Sequence, residues 1–410
     1  MSRYLNIIWI FLFIGPTILQ GQVKVRLFSS YTPESVVFAV TGGEYEISGF
    51  RGGSEIFRKN DLIIISRYHG KLAVKSQHDK GYIVDSLKIN AKTENSSFSL
   101  RLNGQNPVRQ YYQGDFACYP DLGTLVLINK CDVESYIAGV VRAEGGTRKH
   151  IEYFKAQAII TRTYMYKHLD KHLHDKYSVC DNTHCQAFNG VSDDSVINSA
   201  SLETHGLVIL DRDSSLINSA FHSNCGGMTA SSENVWVSGQ TYFRSVTDPY
   251  CLNSRNAVWE KKISTAEWIE YLQKSGYAGK VNDPSVFSFY QNKRWVEYKA
   301  GTFTMPFETI REDMKLRSSF FSVIAARDSV LLKGKGYGHG VGLCQEGAME
   351  MANRGSTYQQ IIDFYYNEVI ITDIKNAIYR MATGDRRQAN NRYEFATRPP
   401  TPDAFNIFKR

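Results

Sequence analysis

Two helical patterns that flank a glutamate and two glycines constrain the fold of this chain more than any other feature. Asp132 can cap a first helix that runs through Val141, and a second helix is predicted from residue 151 to about residue 173. Glu144 and the two glycines after it lie between these helices. A flexible segment directly before an amphipathic helix can hold a proton donor at the edge of a cleft, so Glu144 is the candidate catalytic residue.

The spacing of apolar residues predicts which helix faces are buried. In the first helix, one face carries Val133, Tyr136, Ile137 and Val140. In the second helix, one face carries Phe154, Ala158, Thr161 and Met165, and a neighbouring stripe carries Lys155, Ile159, Arg162 and Tyr166. We therefore expect one side of the second helix to pack while another side looks into a groove.

Short runs rich in β-branched residues precede these helices and indicate a β pattern from residue 23 to about residue 127; they occupy residues 36–40, 62–65, 98–102 and 125–127. Of this stretch, residues 22–104 are expected to form a separate N-terminal β-rich region. Strand and helix patterns then alternate, with strands expected at residues 206–210, 216–221, 322–326 and 369–371 and helices from Gln345 and over residues 358–367. The expected fold class is α+β: a mixed strand and helix catalytic core at residues 105–375, the additional N-terminal β-rich region, and a basic, flexible tail at residues 383–410.

The first 21 residues have the layout of a secretory signal peptide. Arg3 precedes an apolar run from Leu5 to Ile14, and a small residue, Gly21, follows. The run is short for a helix that spans a bilayer, and a retained N-terminal anchor is the alternative. We expect an exported protein of the periplasm or cell envelope, with no stable membrane insertion after the signal is cleaved.

Charge and the glycine-rich motif at residues 336–342 bear on possible partners. The net charge of +7 favours an anionic polymer only slightly, since many proteins of this size reach such a value. The motif lacks the lysine and hydroxyl ending of a phosphate-binding loop, so we reject nucleotide binding and expect no nucleic acid partner. Its glycines could instead let His339 approach a groove, although a satisfied core histidine is the alternative.

Seven cysteines are an odd number for an oxidising compartment. At least one of them is then free, metal-bound or paired with another molecule. Cys118 with Cys131 and Cys225 with Cys251 could form bridges, which spacing alone cannot establish. Residues 180–185 have the ligand density of a zinc site, and a disulfide or two free thiols is the competing account.

Five separated motifs occur in a fixed order, at residues 139–144, 154–164, 184–186, 222–229 and 336–342. Together they resemble the stage II sporulation protein D family, also called the SpoIID/LytB domain, over roughly residues 105–375. The resemblance implies a lytic transglycosylase that cuts peptidoglycan glycan strands, with Glu144 as the catalytic acid. It also implies a preference for strands without stem peptides and a cell-wall amidase as partner. Many members have methionine and proline after the acid, where this chain has Gly145, Gly146 and Thr147.

The chemistry of a glycosidic bond agrees with this assignment. A hydrolase normally uses two carboxylates. A lytic transglycosylase needs only one, because the C6 hydroxyl of N-acetylmuramic acid is the nucleophile and closes a 1,6-anhydro ring, so a single carboxyl group serves first as acid and then as base. We expect Glu144 to be partly shielded from water with a raised pKa. A surface or capping glutamate is the alternative.

The resemblance also implies ligands and binding residues. The zinc ligands that match best are His174, Cys180 and Cys185, with the zinc bracing a loop. His184 either points into the cleft or is a fourth ligand. The residues expected to bind or arrange the glycan are Arg162, Tyr164, His184, His222, Ser223, Gly226, Gly227, Thr229 and His339.

Two further functions stay open. Cys225 beside two glycines, with His222 nearby, permits a cysteine hydrolase in which a thiolate attacks and an imidazole moves the proton. In that region a tight structural turn is the plain alternative to a sugar-binding loop. The chain as a whole could also be a non-catalytic module that binds glycan and stimulates an amidase, which the formation of anhydro ends would distinguish from an enzyme.

Overall fold

A computed structural model describes residues 21–50, 53–77, 81–103, 108–236, 238–279 and 283–383. Apart from residues 21 and 383, the predicted signal peptide and the predicted tail lie outside the described residues. The chain divides into two compact units. The first unit comprises residues up to 148 and residues 157–205, and the second comprises residues 149–156 and residues from 206 onwards.

The strands of the first unit form two sheets. In chain order they are β1 Gln22–Leu27, β2 Ser35–Gly42, β3 Glu44–Phe50, β4 Gly53–Arg58, β5 Leu62–Tyr68, β6 Lys71–Ser76, β7 Tyr82–Val84, β8 Leu87–Ala91, β9 Ser97–Leu102, β10 Arg109–Gln113, β11 Asp115–Asp121, β12 Thr124–Asp132 and β13 Val179–Cys180. One sheet has the order β13-β1-β12-β11-β8-β3-β4 and the other β10-β9-β2-β5-β6-β7. The predicted strands in β2, β5, β9 and β12 are confirmed.

Aromatic side chains join the two sheets into a sandwich. Phe38 and Phe98 stack with ring centroids 4.7 Å apart on the six-stranded sheet. Phe38 also meets Tyr45 at 5.6 Å and Phe116 at 5.4 Å, both from the seven-stranded sheet. Strands β9 and β10 are neighbours in one sheet, so the expected boundary between residues 104 and 105 falls inside the sandwich.

Three helices contribute to the first unit: α1 Val133–Gly145, α2 Ile151–Lys167 from residue 157 onwards, and α3 Ser195–Glu203. The predicted cap of α1 is confirmed, since the Asp132 carboxylate accepts a hydrogen bond of 3.0 Å from the Ser135 backbone N–H. The predicted apolar faces of α1 and α2 are buried. The predicted end of α1 at Val141 is wrong, because the helix continues for another turn and includes Glu144.

Arg162 on α2 ties these three helices together. Its guanidinium is fully buried and makes a two-point ion pair with Glu134 on α1, in which Nε donates to Oε1 over 2.9 Å and a terminal nitrogen contacts Oε2. The same nitrogen donates to the Ser201 carbonyl on α3 over 3.2 Å, and the Ser201 hydroxyl donates to Glu134 over 2.7 Å. Because Arg162 and Ile159 are both 0% exposed, the second stripe of α2 packs too, and the expected glycan contact of Arg162 is not compatible with this structure.

The second unit contains β14 Leu207–Leu210, β15 Phe221–His222, β16 Val258–Ser264, β17 Glu297–Ala300, β18 Phe303–Pro306, β19 Phe321–Ala325, β20 Ser329–Lys335, β21 Leu343–Cys344 and β22 Ile370–Asp373. Its helices are α4 Thr265–Lys274, α5 Phe307–Asp313, α6 Gln345–Asn353, α7 Tyr358–Tyr365 and α8 Ile374–Thr383. A core around Trp268, Phe287, Tyr298 and Phe307 packs against the sheet β16-β20-β19. The α+β class is confirmed.

Two expectations for the second unit differ from the structure. The run at residues 216–221 forms only a single bridge at Leu216 and the two-residue strand β15, because its start pairs with β14 and its end pairs with β21. Helix α8, after the last strand, was not predicted. Among the described residues, we find no helix that combines the length and apolarity needed to cross a bilayer.

The Arg162 ion pair generates a test of its structural role. Replacing Arg162 by methionine leaves the Glu134 carboxylate buried without its partner, so the free energy of unfolding should fall by about 3–5 kcal/mol. Urea denaturation followed by circular dichroism measures this change. The exposed pair of Lys274 and Glu270 is the control, and Lys274→Met should change stability by less than about 1 kcal/mol. Arg162→Met with unchanged stability but weakened glycan binding would restore the ligand role.

Candidate active site

Glu144 lies in the last turn of α1, where the chain leaves the helix through Gly146. Its side chain is half-buried, and Oε1 accepts a hydrogen bond of 2.9 Å from the Ala187 backbone N–H. Burial raises the pKa of Glu144 above its ordinary value, and the Ala187 N–H opposes that shift. The negative end of the helix dipole also disfavours a carboxylate here. Glu144 therefore has the environment of a carboxylic acid that holds its proton longer than a surface glutamate.

The segment that presents Ala187 lies directly on α1. Phe188 packs on Tyr136 with ring centroids 5.1 Å apart, and a Cβ added to Gly139 would lie 2.5 Å from the Phe188 ring and 2.4 Å from the Gly190 carbonyl oxygen. Only glycine at position 139 allows this approach. The contact sets the position of the Ala187 N–H relative to Glu144.

A group of four soft ligands lies at the start of the same segment. The donor atoms of His172, Cys180, His184 and Cys185 all lie within 4.8 Å of one another. His172 Nε2 is 3.4 Å from the Cys185 sulfur, and His184 Nδ1 is 3.5 Å from the Cys180 sulfur. The second nitrogen of His172 contacts the Asp175 carboxylate at 2.8 Å, which is the usual orientation of a metal-binding histidine. These residues could hold a metal ion.

The histidine expected in this group was His174, and the structure places His172 there instead. His174 is exposed and is not part of the group. Helix α2 ends at Lys167 and a 3₁₀ turn follows over Leu169–His172, whereas a continuous helix to about residue 173 was expected. The tighter turn changes which histidine faces the cysteines. Asp175, three residues after His172, was a signal in the sequence that could have identified it.

Tyr164 and His184 are polar groups of the first unit that we expected to bind glycan. Tyr164 is half-buried, and its hydroxyl accepts a hydrogen bond of 3.0 Å from Lys171 Nζ. The Lys171 ammonium also donates to the His184 carbonyl over 2.7 Å. The His184 ring faces the two cysteines, so the fourth-ligand alternative fits this structure better than a free side chain in a cleft.

In the second unit, the motifs at residues 222–229 and 336–342 lie against each other. Strand β15 pairs with β21 in parallel, Asn224 and Tyr337 exchange backbone hydrogen bonds, and the Ala230 N–H donates to the Gly340 carbonyl over 2.7 Å. Gly336 has φ = 79°, and a Cβ there would lie 2.5 Å from the Asn224 carbonyl oxygen. The sequence therefore needs glycine where the two motifs meet.

The predicted binding residues of these motifs differ in accessibility. His222 and Thr229 are buried, whereas Ser223, Gly227 and His339 are partly accessible. The Thr229 hydroxyl accepts a hydrogen bond of 2.8 Å from the Val246 N–H and the Thr229 N–H donates to the Val246 carbonyl, which ties the motif to a segment further along the chain. Within the described residues, His222 Nε2 has no hydrogen-bond partner, and burial lowers the pKa of this histidine well below its ordinary value. Thr229 thus uses its hydroxyl and its N–H in contacts within the protein.

His339 lies beside two other rings. Its centroid is 5.6 Å from that of His222 and 5.7 Å from that of Trp236. Burial and the positive charge of Arg311 lower the pKa of His339 to about 4, so this imidazole is neutral under ordinary conditions. A neutral imidazole next to an indole can stack on a sugar and share a hydrogen bond with it.

Arg294, which sequence reasoning missed, holds the Gly226 and Gly227 turn. Its Nε donates to the Met228 carbonyl and a terminal nitrogen donates to the Cys225 carbonyl, each over 2.7 Å. A Cβ on Gly226 would lie 2.5 Å from the Lys335 side chain, so this glycine serves close packing. The sequence contained only a weak indication of this role, because Arg294 lies in a loop that is far along the chain from the motif it supports.

Cys225 does not have the surroundings of a nucleophile. Its side chain is 0% exposed, and burial raises the pKa of its thiol well above the ordinary value. A thiolate that attacks a substrate is normally partly exposed and has a lowered pKa. The structure therefore argues against the cysteine hydrolase reading.

Comparisons with known proteins agree with the motifs. Residues 121–210, which include Glu144 and the group around Cys180, match the model of a family described as stage II sporulation protein, SpoIID. The chain is 26% identical over 324 residues to stage II sporulation protein D of Bacillus subtilis (strain 168), which covers 74% of this chain and 90% of the relative.

Two other relatives are similar over shorter regions. An uncharacterised protein of Brachyspira hyodysenteriae (strain ATCC 49526 / WA1) is 28% identical over 267 residues, 64% of this chain and 72% of that protein. A protein named amidase enhancer from Bacillus subtilis (strain 168) is 27% identical over 289 residues, 58% of this chain and 40% of the relative. The resemblance predicted from the motifs is therefore confirmed: residues 121–210 match the SpoIID family model, and the chain is similar to relatives named stage II sporulation protein D and amidase enhancer.

Proposed function

We propose that this chain is an exported lytic transglycosylase that cleaves peptidoglycan glycan strands, with Glu144 acting first as acid and then as base. The observation that carries the proposal is the environment of Glu144, a half-buried carboxyl group with a raised pKa that accepts a hydrogen bond from the Ala187 backbone N–H. Relatives named stage II sporulation protein D and amidase enhancer support a role at the cell wall.

The proposed reaction begins with Glu144 protonated. The carboxylic acid donates its proton to the glycosidic oxygen as the bond from that oxygen to C1 breaks, and positive charge develops at C1. The C6 hydroxyl of the same N-acetylmuramic residue then attacks C1, and its proton passes to the Glu144 carboxylate. The products are a 1,6-anhydro end and a free hydroxyl on the departing sugar, and Glu144 is again protonated.

The Ala187 N–H has a defined role in this cycle. After Glu144 has given up its proton, the negative charge on its oxygen is stabilised by the hydrogen bond from Ala187. Ala187 is two residues after Cys185, so whatever fixes Cys185 also fixes this donor. No substitution other than proline removes a backbone N–H, which suits a donor that must stay in place through every turnover.

We propose that the group of His172, Cys180, His184 and Cys185 holds structural zinc. Two thiols and two imidazoles are a donor set that suits tetrahedral zinc. When bound, zinc would supply bracing and would take no part in proton transfer, because all four ligands come from the protein. Cys180 is anchored on the other side by β13, which pairs in parallel with β1.

The partly accessible groups of the second unit are proposed to bind glycan. Ser223, Gly227 and His339 offer a hydroxyl, a backbone edge and a neutral imidazole, which suit sugar hydroxyls and acetamide groups. The alternative function, a non-catalytic module that binds glycan and stimulates an amidase, is supported by the relative named amidase enhancer. An amidase is the proposed partner in either case, since its action leaves strands without stem peptides.

Replacing Glu144 by glutamine tests the catalytic role directly. Glutamine keeps the shape of the side chain but cannot donate a proton to the glycosidic oxygen, so cleavage should fall by about a hundredfold or more while glycan binding persists. The measurement is digestion of stem-peptide-free murein with the full chain, followed by mass spectrometry of anhydro ends. Glu94, an exposed glutamate in a turn, is the control, and Glu94→Gln should leave cleavage unchanged. Binding without anhydro ends in the wild type would favour the amidase-enhancer alternative.

The raised pKa of Glu144 also predicts how stability depends on pH. The folded state holds this proton above pH 4.5, where the unfolded chain has begun to release it, so stability falls as pH rises through the folded-state pKa. Glutamine cannot ionise and can still accept from Ala187. Glu144→Gln should therefore be at least as stable as the wild type at neutral pH, and this advantage should disappear below pH 4.5.

Thermal unfolding of both proteins across this pH range provides the measurement. In the wild type, kcat/KM for cleavage should fall on the alkaline side of the same pKa, because the acid form is lost. A glutamine variant that is clearly less stable than the wild type at neutral pH would mean that Glu144 has a structural role as a carboxylate, as in the capping alternative.

A further inference from the structure

A second group of ligating side chains lies in the second unit and has no part in the proposed reaction. It consists of Cys225, Asp248, Cys251 and Cys344, each of which is 0% exposed. Their donor atoms all lie within 4.8 Å of one another. The sulfurs of Cys225 and Cys251 are 3.4 Å apart, and the Cys225 sulfur is 3.2 Å from Asp248 Oδ2. We call this the buried thiol group.

The buried thiol group joins three segments that are far apart in sequence. Cys225 belongs to the motif at residues 222–229, Asp248 and Cys251 to a loop, and Cys344 to the start of α6. Between the end of β14 and the start of β16, the described residues form only the two-residue strand β15 and a 3₁₀ turn at Ser232–Asn234. This part of the chain therefore has little backbone pairing of its own to hold it in place.

We propose that the buried thiol group is a closed structural zinc site. Three sulfurs and one carboxylate oxygen complete a tetrahedral set with no position left for water, as structural zinc requires. With zinc–sulfur bonds of about 2.3 Å, sulfur atoms in a tetrahedron lie about 3.8 Å apart. The observed separations of 3.4 Å and at most 4.8 Å bracket that value, so small side-chain movements suffice.

The surroundings of the group suit ligands that carry negative charge. The Cys344 sulfur caps α6 and accepts hydrogen bonds from the Cys225 N–H over 3.3 Å and the Gly347 N–H over 3.4 Å. A thiolate at a helix N-terminus is favoured by the helix dipole. Asp248 accepts from the Tyr365 hydroxyl over 3.0 Å and the Tyr250 N–H over 2.9 Å, which orients its carboxylate.

Gly347 and Arg294 are two further features of a preformed metal site. A Cβ on Gly347 would lie 2.4 Å from Asp248 Oδ2, so glycine is needed for the carboxylate to reach the end of α6. Arg294 donates to the Cys225 carbonyl over 2.7 Å, which places a guanidinium beside the group. A bound zinc ion with three thiolates and a carboxylate has a net negative charge, and the nearby cation offsets it.

A disulfide accounts for these residues less well. Three sulfurs can form one disulfide and leave the third thiol unpaired, and Asp248 would then have no cationic partner in the group. Zinc uses all four donors at once. It would also connect the three segments and thereby stabilise the loop that carries Ser223 and Gly227. The inference stands on the buried thiol group alone and does not depend on the cleavage reaction.

The test separates this site from the group around Cys180. In the full chain, Cys180→Ala with Cys185→Ala removes two ligands of the first group. Elemental analysis of this double variant, purified with zinc and without chelator, should still find one zinc per chain. Adding Cys344→Ala should abolish that zinc, whereas adding Cys118→Ala, the control for loss of a buried thiol, should leave it in place. Zinc that persists after Cys344→Ala would overturn the proposal.

A measurement on the wild type keeps the proposal testable if a variant does not fold. Anomalous scattering at the zinc absorption edge from crystals of the wild-type chain should give a peak among Cys225, Asp248, Cys251 and Cys344. Alkylation of the denatured chain without reductant should modify all three of these cysteines. A disulfide between any two of them, or no peak at the group in zinc-supplemented crystals, would refute the zinc site.

Discussion

The buried ion pair between Arg162 and Glu134 is the constraint on which the first unit depends. It joins α1 to α2, and Ser201 extends it to α3. A charge removed from water is costly unless its partners are fixed, so each helix can occupy only the position that satisfies the pair. Glu144 stands on the last turn of the helix that carries Glu134. The position of the candidate acid therefore depends on the ion pair between Arg162 and Glu134, which is buried and out of reach of a substrate.

Groups of soft ligands lie where regular secondary structure is sparse. In the first unit, Cys180 and Cys185 bound the segment that leads to Ala187, and Gly139 lets that segment approach α1. In the second unit, Cys225 belongs to the motif at residues 222–229, and Cys344 directly precedes α6, shortly after the motif at residues 336–342. Loops that lack the regular backbone hydrogen bonds of helices and sheets need other cross-links to keep their side chains in fixed positions. Both candidate metal groups meet that need within their own unit.

Local patterns predicted much of the fold, and long-range contacts account for what they missed. The apolar faces of α1 and α2 and the cap at Asp132 were predictable, because they depend on residues a few positions apart. Arg162 was misread, since its spacing alone could not show that Glu134 lies across from it. His172 was missed for a similar reason: the change from α-helix to 3₁₀ turn after Lys167 is decided by tertiary packing.

A single carboxyl group that acts as acid and then as base needs a balanced environment. Burial and the helix end favour the neutral form of Glu144, and the Ala187 N–H favours the carboxylate. If burial were unopposed, the acid would keep its proton and donate poorly. If several donors surrounded the carboxylate, it would be a weak base and would not recover the proton from the C6 hydroxyl. The Ala187 N–H and the partial burial of the side chain oppose each other at Glu144, which is the condition for one residue to serve both steps.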